Sequence, residues 1–206
     1  MGRFAEICAD AGAEVYAVDM SVAVDAAYAN LAARPNVHLL QADIMDLPFL
    51  PESFDLIYSI GVLHHTPDTR KAFLRLAPLL RPGGTIAVWV YTRGRFPKVD
   101  SLLRTVSPSL PKPLLLKLSR LAIPLYRIHR TPILGRLTSV LLPTSPNPDP
   151  EWRWLDTFDW YSPRYQWKHT YEELAAWYRE AGLGDLRRGG FAVSMSGRRL
   201  PANPSG

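Results

Sequence analysis

A short apolar strand that ends on an acidic residue constrains the fold of this 206-residue chain more than any other stretch. Val15, Ala17 and Val18 form the apolar run, and Asp19 ends it just before a predicted helix at Ser21. Such a run is typical of a strand buried on both faces of a parallel sheet, where ligands bind at the carboxyl ends of the strands. Asp19 would there accept hydrogen bonds from the hydroxyls of a ribose, which points to a nucleoside-bearing cofactor. The alternative is that its carboxylate only caps the next helix.

The pattern of an apolar strand followed by a polar residue repeats along the first half of the chain. A second run ends on Asp43 and a third ends on Ser59. Because the carboxyl ends of parallel strands meet at one edge of a sheet, Asp43 and Asp19 are expected at the same edge. The elements predicted after the first strand are a helix over 22–33, strands over 37–42 and 53–59, a helix that begins at Pro67, and a strand over 85–91.

The carboxyl-terminal part of the chain carries a helix signal and a hairpin signal. Thr170 and Glu173 form a capping box, which predicts a helix over 171–181. Two apolar runs around a pair of glycines then predict antiparallel strands over 183–188 and 191–197. The residues from 198 onward are expected to form a disordered tail.

The middle of the chain, residues 92–150, interrupts the alternation of strands and helices. Prolines divide it into short helices, and its leucines recur at helical spacing. The segment 111–142 is also basic, so one interpretation is weak contact of its apolar and basic surface with a lipid or membrane. The favoured alternative is that its leucines pack on the main domain while the cations face water.

Composition excludes several classes of protein. The net charge of +5 comes without an RNA-recognition, zinc-finger or helix-turn-helix pattern, so we expect neither a nucleic-acid partner nor a metal site. The single cysteine, Cys8, rules out an internal disulfide framework and fits a reducing compartment. Neither a signal peptide nor an apolar run of membrane-spanning length is found, so the cytoplasm is the expected location.

The order of these elements and motifs resembles the class I S-adenosylmethionine-dependent methyltransferases, and among them the broad small-molecule branch that includes the ubiquinone and menaquinone enzymes. The resemblance covers residue 2 to about 91 and about 170 to 197. It implies a Rossmann-like, mostly parallel α/β sheet with an antiparallel carboxyl-terminal strand pair and an inserted helical lid. The motifs that carry it are Gly2-Arg-Phe, the run from Val15 to Ser21, Gln41-Ala-Asp-Ile, the run from Phe54 to Asp68, and Leu80-Arg-Pro-Gly-Gly.

The resemblance implies a domain division and a set of cofactor residues. Residues 1–91 form a partial cofactor-binding core, 92–150 the lid, 151–197 the part that completes the core, and 198–206 the tail. Asp19 would hold the ribose of S-adenosylmethionine, and Asp43 its adenine. The other residues implied at the cofactor are Gly2, Met20, Ile44, which offers backbone contact, and Ser59, beside the methionine moiety.

The front of the chain departs from the family pattern. A helix is predicted over 2–12, with its buried face formed by Phe4, Ile7, Cys8 and Ala11, and no strand precedes it. The family has a first strand and a glycine-rich loop there, and this strand would lie in the middle of the sheet, between the strands that contain Val15 and Phe54. Without it, those two strands would have unpaired edges. Our hypothesis is that the chain is truncated at its amino terminus.

Methyl transfer also needs an aligned acceptor and, unless that acceptor is already nucleophilic, a base. His65 is the preferred candidate base and His64 the second, since both follow the third strand; packing beneath the lid is the alternative role. Tyr161, Tyr165 and His169 are candidates for the acceptor pocket. The predicted function is methyl transfer to a small hydrophobic or aromatic acceptor, and the alternatives are a non-catalytic relic or binding subunit and an NAD-dependent dehydrogenase.

Overall fold

The computed structural model describes residues 2–93 and 99–200. They form two compact units. The sheet unit contains residues 2–63, 68–89 and 171–200, and the helical unit contains 64–67, 90–93 and 99–170. Within these described ranges, every helix is too short or too polar to cross a lipid bilayer.

The sheet unit contains six strands in two sheets. Strands β1 and β2 form a parallel pair, and the second sheet has the order β3-β4-β6-β5, with β3 parallel to β4 and β6 antiparallel to both of its neighbours. The parallel strands and the antiparallel pair agree with the predicted fold class. The strands are β1 (Val15–Asp19), β2 (Val37–Gln41), β3 (Phe54–Ile60), β4 (Leu80–Trp89), β5 (Leu183–Arg188) and β6 (Ser194–Arg199), and the helices of this unit are α1 (Arg3–Asp10), α2 (Ala23–Leu31), α3 (Thr69–Leu76) and α9 (Tyr171–Glu180).

Strands β1 and β3 each have one unpaired edge among the described residues. These are the two strands between which the family pattern places its first strand. Burial alternates along β1: Val15 and Ala17 lie in the core formed with α1, whereas Tyr16 and Val18 on the other face are exposed, as is Leu56 of β3. The prediction that the first strand is buried on both faces is therefore wrong, since only Val15 of β1 is fully buried.

Helix α1 packs through a different face from the one its apolar spacing predicted. Ala5 and Ala9 are buried against Val15 and Leu31, whereas Phe4 and Ile7 are exposed. The two small alanine side chains let the helix approach β1 and α2 closely, and this close packing overrides the larger apolar residues.

Tyr178 of α9 lies at the centre of the second sheet's core. Its ring packs against Phe73 with 4.7 Å between ring centroids. Its hydroxyl donates to the carbonyl oxygen of Met195 at 2.7 Å and is 3.2 Å from that of Ile86. One buried side chain thereby joins α3, α9, β4 and β6, and burial raises its pKa above the usual range of tyrosine.

Several predicted boundaries in the sheet unit are wrong. Strand β4 begins at Leu80 and not at Thr85, and β6 begins at Ser194 and not at Phe191. Helix α3 begins at Thr69 and not at Pro67, because Asp68 is its cap and accepts a hydrogen bond from the backbone of Lys71 at 2.9 Å. Strand β6 continues to Arg199, where a tail was expected from residue 198. The remainder of that expected tail, 201–206, lies outside the described residues.

The helical unit is built from short helices, as the prolines predicted. Sequence reasoning missed α8, although Asp149 followed by Pro150 is a recognisable start: the Asp149 carboxylate accepts from the backbone N–H groups of Glu151 and Trp152. The helices are α4 (Val99–Val106), α5 (Lys112–Ser119), α6 (Ala122–His129), α7 (Leu134–Leu141) and α8 (Pro150–Tyr161).

Candidate functional site

Asp19 lies at the carboxyl end of β1, and its two carboxylate oxygens have different surroundings. Oδ1 accepts from the backbone N–H of Ser21 at 2.8 Å and from its hydroxyl at 2.7 Å. Oδ2 has no hydrogen-bond partner among the described residues, and the side chain is exposed. The turn at the start of α2 therefore binds one carboxylate oxygen and orients the other. Asp19 can thus cap this turn through Oδ1 and still bind a ribose hydroxyl through Oδ2.

Asp43 follows the neighbouring strand and repeats this arrangement. Asp19 and Gln41 are partners in the β1–β2 register, and the backbone N–H of Ala42 donates to the carbonyl oxygen of Asp19 at 3.2 Å. Asp43 follows Ala42 directly, so it lies one residue beyond the last hydrogen bond between the two strands. Its Oδ1 accepts from the backbone N–H of Met45 at 2.9 Å, which leaves Oδ2 free among the described residues. Two exposed carboxylates consequently lie at the same edge of the small sheet.

Four other candidate cofactor residues occupy the same unit. Gly2 has a φ of +85° and begins α1, and a side chain at this position would overlap Leu31, so glycine is required here on two grounds. Met20 is exposed, and Ile44 is half-buried beside Asp43. Ser59, near the carboxyl end of β3, is buried, and its hydroxyl has no hydrogen-bond partner among the described residues.

In the helical unit, His64 is completely buried. Its ring stacks on Tyr91 with 3.9 Å between centroids and lies 4.1 Å from the ring of His65. Both ring nitrogens lack hydrogen-bond partners in the described part of the chain. Burial lowers its pKa to about 3, and electrostatic interactions with His65, His169 and Arg104 act in the same direction. His64 is therefore a neutral packing residue at physiological pH.

His65 has the geometry of a base. Its Nδ1 is 2.8 Å from the carbonyl oxygen of Tyr165. A carbonyl can only accept, so Nδ1 carries the proton and the neutral ring has its lone pair on Nε2. Burial lowers the pKa of His65, an effect that the Tyr165 carbonyl opposes and the Arg104 charge reinforces. The imidazole is thus held neutral, in one tautomer, with Nε2 unbonded by any described residue.

The structure separates the three candidate acceptor residues. Tyr165 contacts His65 through its backbone and stacks on Trp167 with 6.4 Å between ring centroids. His169 donates its backbone N–H to the carbonyl oxygen of Tyr91 at 2.8 Å and influences His64 electrostatically, so it belongs to the same cluster. The Tyr161 hydroxyl instead donates to the carbonyl oxygen of Pro143 at 2.8 Å, which gives this buried ring a packing role.

Sequence reasoning missed three residues that build the histidine cluster. Tyr91 supplies the ring on which His64 stacks. Trp167 donates its indole N–H to the carbonyl oxygen of Thr66 at 3.0 Å. Arg104 donates to the carbonyl oxygens of Trp160 and Pro163 and keeps a positive charge near both histidines. No local signal marked these residues, because their partners are distant in sequence.

Residues 1–88 of the chain match the family model described as a methyltransferase domain. Among curated relatives, the demethylmenaquinone methyltransferase of Clavibacter sepedonicus is 32% identical over 116 residues, which are 54% of this chain and 47% of that protein. An uncharacterized methyltransferase of Mycobacterium bovis is 40% identical over 74 residues, 36% of this chain and 38% of that protein. The chain therefore spans less than half of the length of these relatives.

A solved structure extends the likeness beyond the family segment. The Haemonchus contortus phosphoethanolamine N-methyltransferase 2, with phosphomonomethylethanolamine and S-adenosylhomocysteine bound, has a TM-score of 0.53 and 20% identity. The alignment covers 89% of this chain and 31% of that chain. At this identity the likeness concerns the fold alone. It supports a methyltransferase-like α/β fold that includes parallel strands, antiparallel strands and a helical segment.

Proposed function

We propose that the protein transfers a methyl group from S-adenosylmethionine to a small hydrophobic or aromatic acceptor. The observation that carries the proposal is the pair of carboxylates, Asp19 and Asp43, at the carboxyl ends of two paired parallel strands. Each has one oxygen occupied by its own turn and one that no described residue binds. This pair, within the segment that matches the methyltransferase family, suits the two ends of one adenosine.

The residues of the sheet unit fit S-adenosylmethionine chemically. The free oxygen of Asp19 would accept from the ribose hydroxyls, and that of Asp43 from the adenine amino group. The unpartnered hydroxyl of Ser59 would satisfy a polar group of the methionine moiety, since a buried hydroxyl without a partner costs about 1 to 3 kcal/mol. When bound, the cofactor supplies an electrophilic methyl group on a sulfonium.

We assign the base to His65 and exclude His64 from that role. A pKa near 3 leaves His64 too weak a base, and its nitrogens are sealed in the core. His65 keeps Nε2 as an acceptor because the Tyr165 carbonyl holds the proton on Nδ1. His65 would remove the proton of an acceptor hydroxyl or amine, while Tyr165 and Trp167 offer an aromatic surface beside it.

A thermal-shift titration tests the proposal and separates it from the alternatives. The protein is expressed from its genomic locus with any in-frame codons upstream of Met1, and is titrated with S-adenosylmethionine, S-adenosylhomocysteine or NAD. A ligand that binds only the native state raises stability by RT ln(1 + [L]/Kd), about 2.7 kcal/mol at a hundred times Kd. We expect a rise with both adenosyl ligands and none with NAD. A rise with NAD alone would support a dehydrogenase and overturn the proposal.

A turnover assay then separates an enzyme from a binding subunit. The protein is incubated with S-[methyl-³H]adenosylmethionine and a panel of phenols, hydroquinones and aromatic amines, and organic-extractable label is counted. Enzyme-dependent label in at least one acceptor is expected. Tight cofactor binding without label in any member of the panel would favour the non-catalytic binding subunit instead.

A further inference from the structure

Helix α7 carries a continuous stripe of exposed apolar side chains. Ile133, Leu137 and Val140 are 87%, 58% and 57% exposed. Leu134 and Leu141 flank them and are each about half exposed. The spacing of three and four residues places all five on one side of the helix. A contiguous exposed apolar surface of this kind is typical of a site that binds a protein, a membrane or an apolar ligand.

The way α7 packs on α6 explains why this stripe faces outward. Gly135 is buried, and a side chain at this position would overlap the carbonyl oxygen of His129, so the two helices meet backbone to backbone at that point. A helix turns by about 100° per residue, so Leu137 lies roughly opposite Gly135. The stripe is therefore the face that points away from α6. It is not available to the core of the helical unit.

A second row of exposed apolar side chains lies on α5 and just after it. Leu114, Leu118 and Leu121 recur at spacings of four and three and are exposed, while Leu115 and Ala122 are buried. The favoured expectation that the leucines of this segment pack inward is thus wrong for most of them. The reason is that these helices are short and each can bury only a narrow stripe.

The charge of the same segment is of one sign. Residues 111–142 contain six lysines and arginines and no aspartate or glutamate. Arg120 and Arg130 lie over the rings of Trp154 and Tyr126. The other cations of the segment are Lys112, which donates to the carbonyl oxygen of Ser162, and Lys117, Arg127 and Arg136, which are exposed and form no ion pair with any described residue.

We propose that the exposed stripe of α7, together with the cations of residues 111–142, binds the surface of an anionic lipid bilayer. The apolar stripe of α7 would enter the boundary between headgroups and acyl chains, and the unpaired cations would contact anionic headgroups. An apolar face with basic residues and no acidic residue complements such a surface in both respects. A second copy of the chain fits poorly, because two faces that each carry six cations would repel one another.

Vesicle co-sedimentation tests this proposal. The wild-type protein is mixed with vesicles of phosphatidylglycerol and phosphatidylcholine, or of phosphatidylcholine alone, at low and high salt. We expect binding to the anionic vesicles that weakens at least about tenfold in the neutral vesicles or in high salt. The double variant Ile133→Asp/Leu137→Asp, and separately Arg127→Gln/Arg136→Gln, should each lower binding to the anionic vesicles by about tenfold or more.

A matched control is available in the sheet unit. Leu50→Asp introduces one carboxylate, as each of the two stripe substitutions does, at an apolar side chain that is 79% exposed, and it should leave vesicle binding unchanged. Far-UV circular dichroism checks that each variant is folded, and the arginine variants test the proposal even if an aspartate variant unfolds. Equal binding of all variants would overturn the proposal. The proposal would also be overturned, in favour of self-association, by two results together. The wild type would fail to bind vesicles, and light scattering would show a wild-type dimer that Ile133→Asp/Leu137→Asp does not form.

Discussion

The buried imidazole of His64 should make the stability of the helical unit depend on pH. The pKa of this ring is about 3 in the folded protein, against 6.5 for an ordinary histidine. Its nitrogens have no partner among the described residues that could stabilise a proton. As the pH falls below 6.5, the unfolded chain therefore binds a proton at this histidine that the folded chain does not, and the free energy of unfolding decreases.

The size of the effect follows from the two pKa values. Each pH unit between them lowers the free energy of unfolding by about 1.4 kcal/mol, so this one group should remove about 2 kcal/mol between pH 8 and pH 5. His64→Phe keeps a ring to stack on Tyr91, whose centroid is 3.9 Å away, and removes the titration. The variant should lose about 2 kcal/mol less than the wild type over the same pH range.

Urea unfolding followed by circular dichroism at pH 8 and pH 5 measures the difference. Tyr91→Phe is the control, because it changes the same stacked pair but leaves His64 in place, and it should retain the acid sensitivity of the wild type. If wild type and His64→Phe lose the same free energy between the two pH values, the reasoning is refuted. A His64 ring resonance that titrates near pH 6.5 in the folded protein would refute it equally.

Three further predictions concern the base, a helix cap and the core. His65→Gln should lower kcat by about a hundredfold or more. In the wild type, kcat/KM should fall at acidic pH with a midpoint below pH 6.5, because burial lowers the pKa of the His65 ring, and the variant should lose this dependence. An unchanged pH profile in the variant would contradict the assignment of His65 as the base. Asp149→Ala removes the cap of α8 and should cost about 1 kcal/mol in urea unfolding, with the exposed Asp46→Ala as the comparison. Tyr178→Phe leaves the packing but removes the hydroxyl that bonds Met195, at a cost of about 1 to 2 kcal/mol; a loss below 0.5 kcal/mol would argue against that bond.

The strands of the sheet unit could be predicted because their signals are local. Apolar runs bounded by polar residues located β1, β2 and β3 to within about a residue, and the acids Asp19 and Asp43 marked their carboxyl ends. The burial of those strands could not be predicted in the same way. It depends on which face of each strand another element covers: Val15 and Ala17 of β1 pack with α1, whereas Tyr16 and Val18 on the opposite face are exposed.

The histidine cluster shows a second limit of sequence reasoning. The motif that follows β3 identified His64 and His65 as a pair, yet the choice between them depends on the carbonyl of Tyr165, a hundred residues later in the chain. The same holds for Arg104, which reaches the backbone of Trp160. Helix α8 was missed for a different reason. Its start signal, Asp149 followed by Pro150, is local but stands among the many prolines that divide residues 92–150.

Affinity for S-adenosylmethionine in carboxylate variants tests the central claim most directly. Equilibrium dialysis compares the protein from its genomic locus with Asp19→Asn, Asp43→Asn and, as the control, Asp55→Asn, an exposed acid that pairs with Arg81 near the opposite end of β3. A charge-assisted hydrogen bond contributes about 1.5 to 3 kcal/mol, so each of the first two variants should raise Kd by about tenfold or more while the control does not. Unchanged affinity in both strand-end variants would contradict the claim that these carboxylates hold the adenosine.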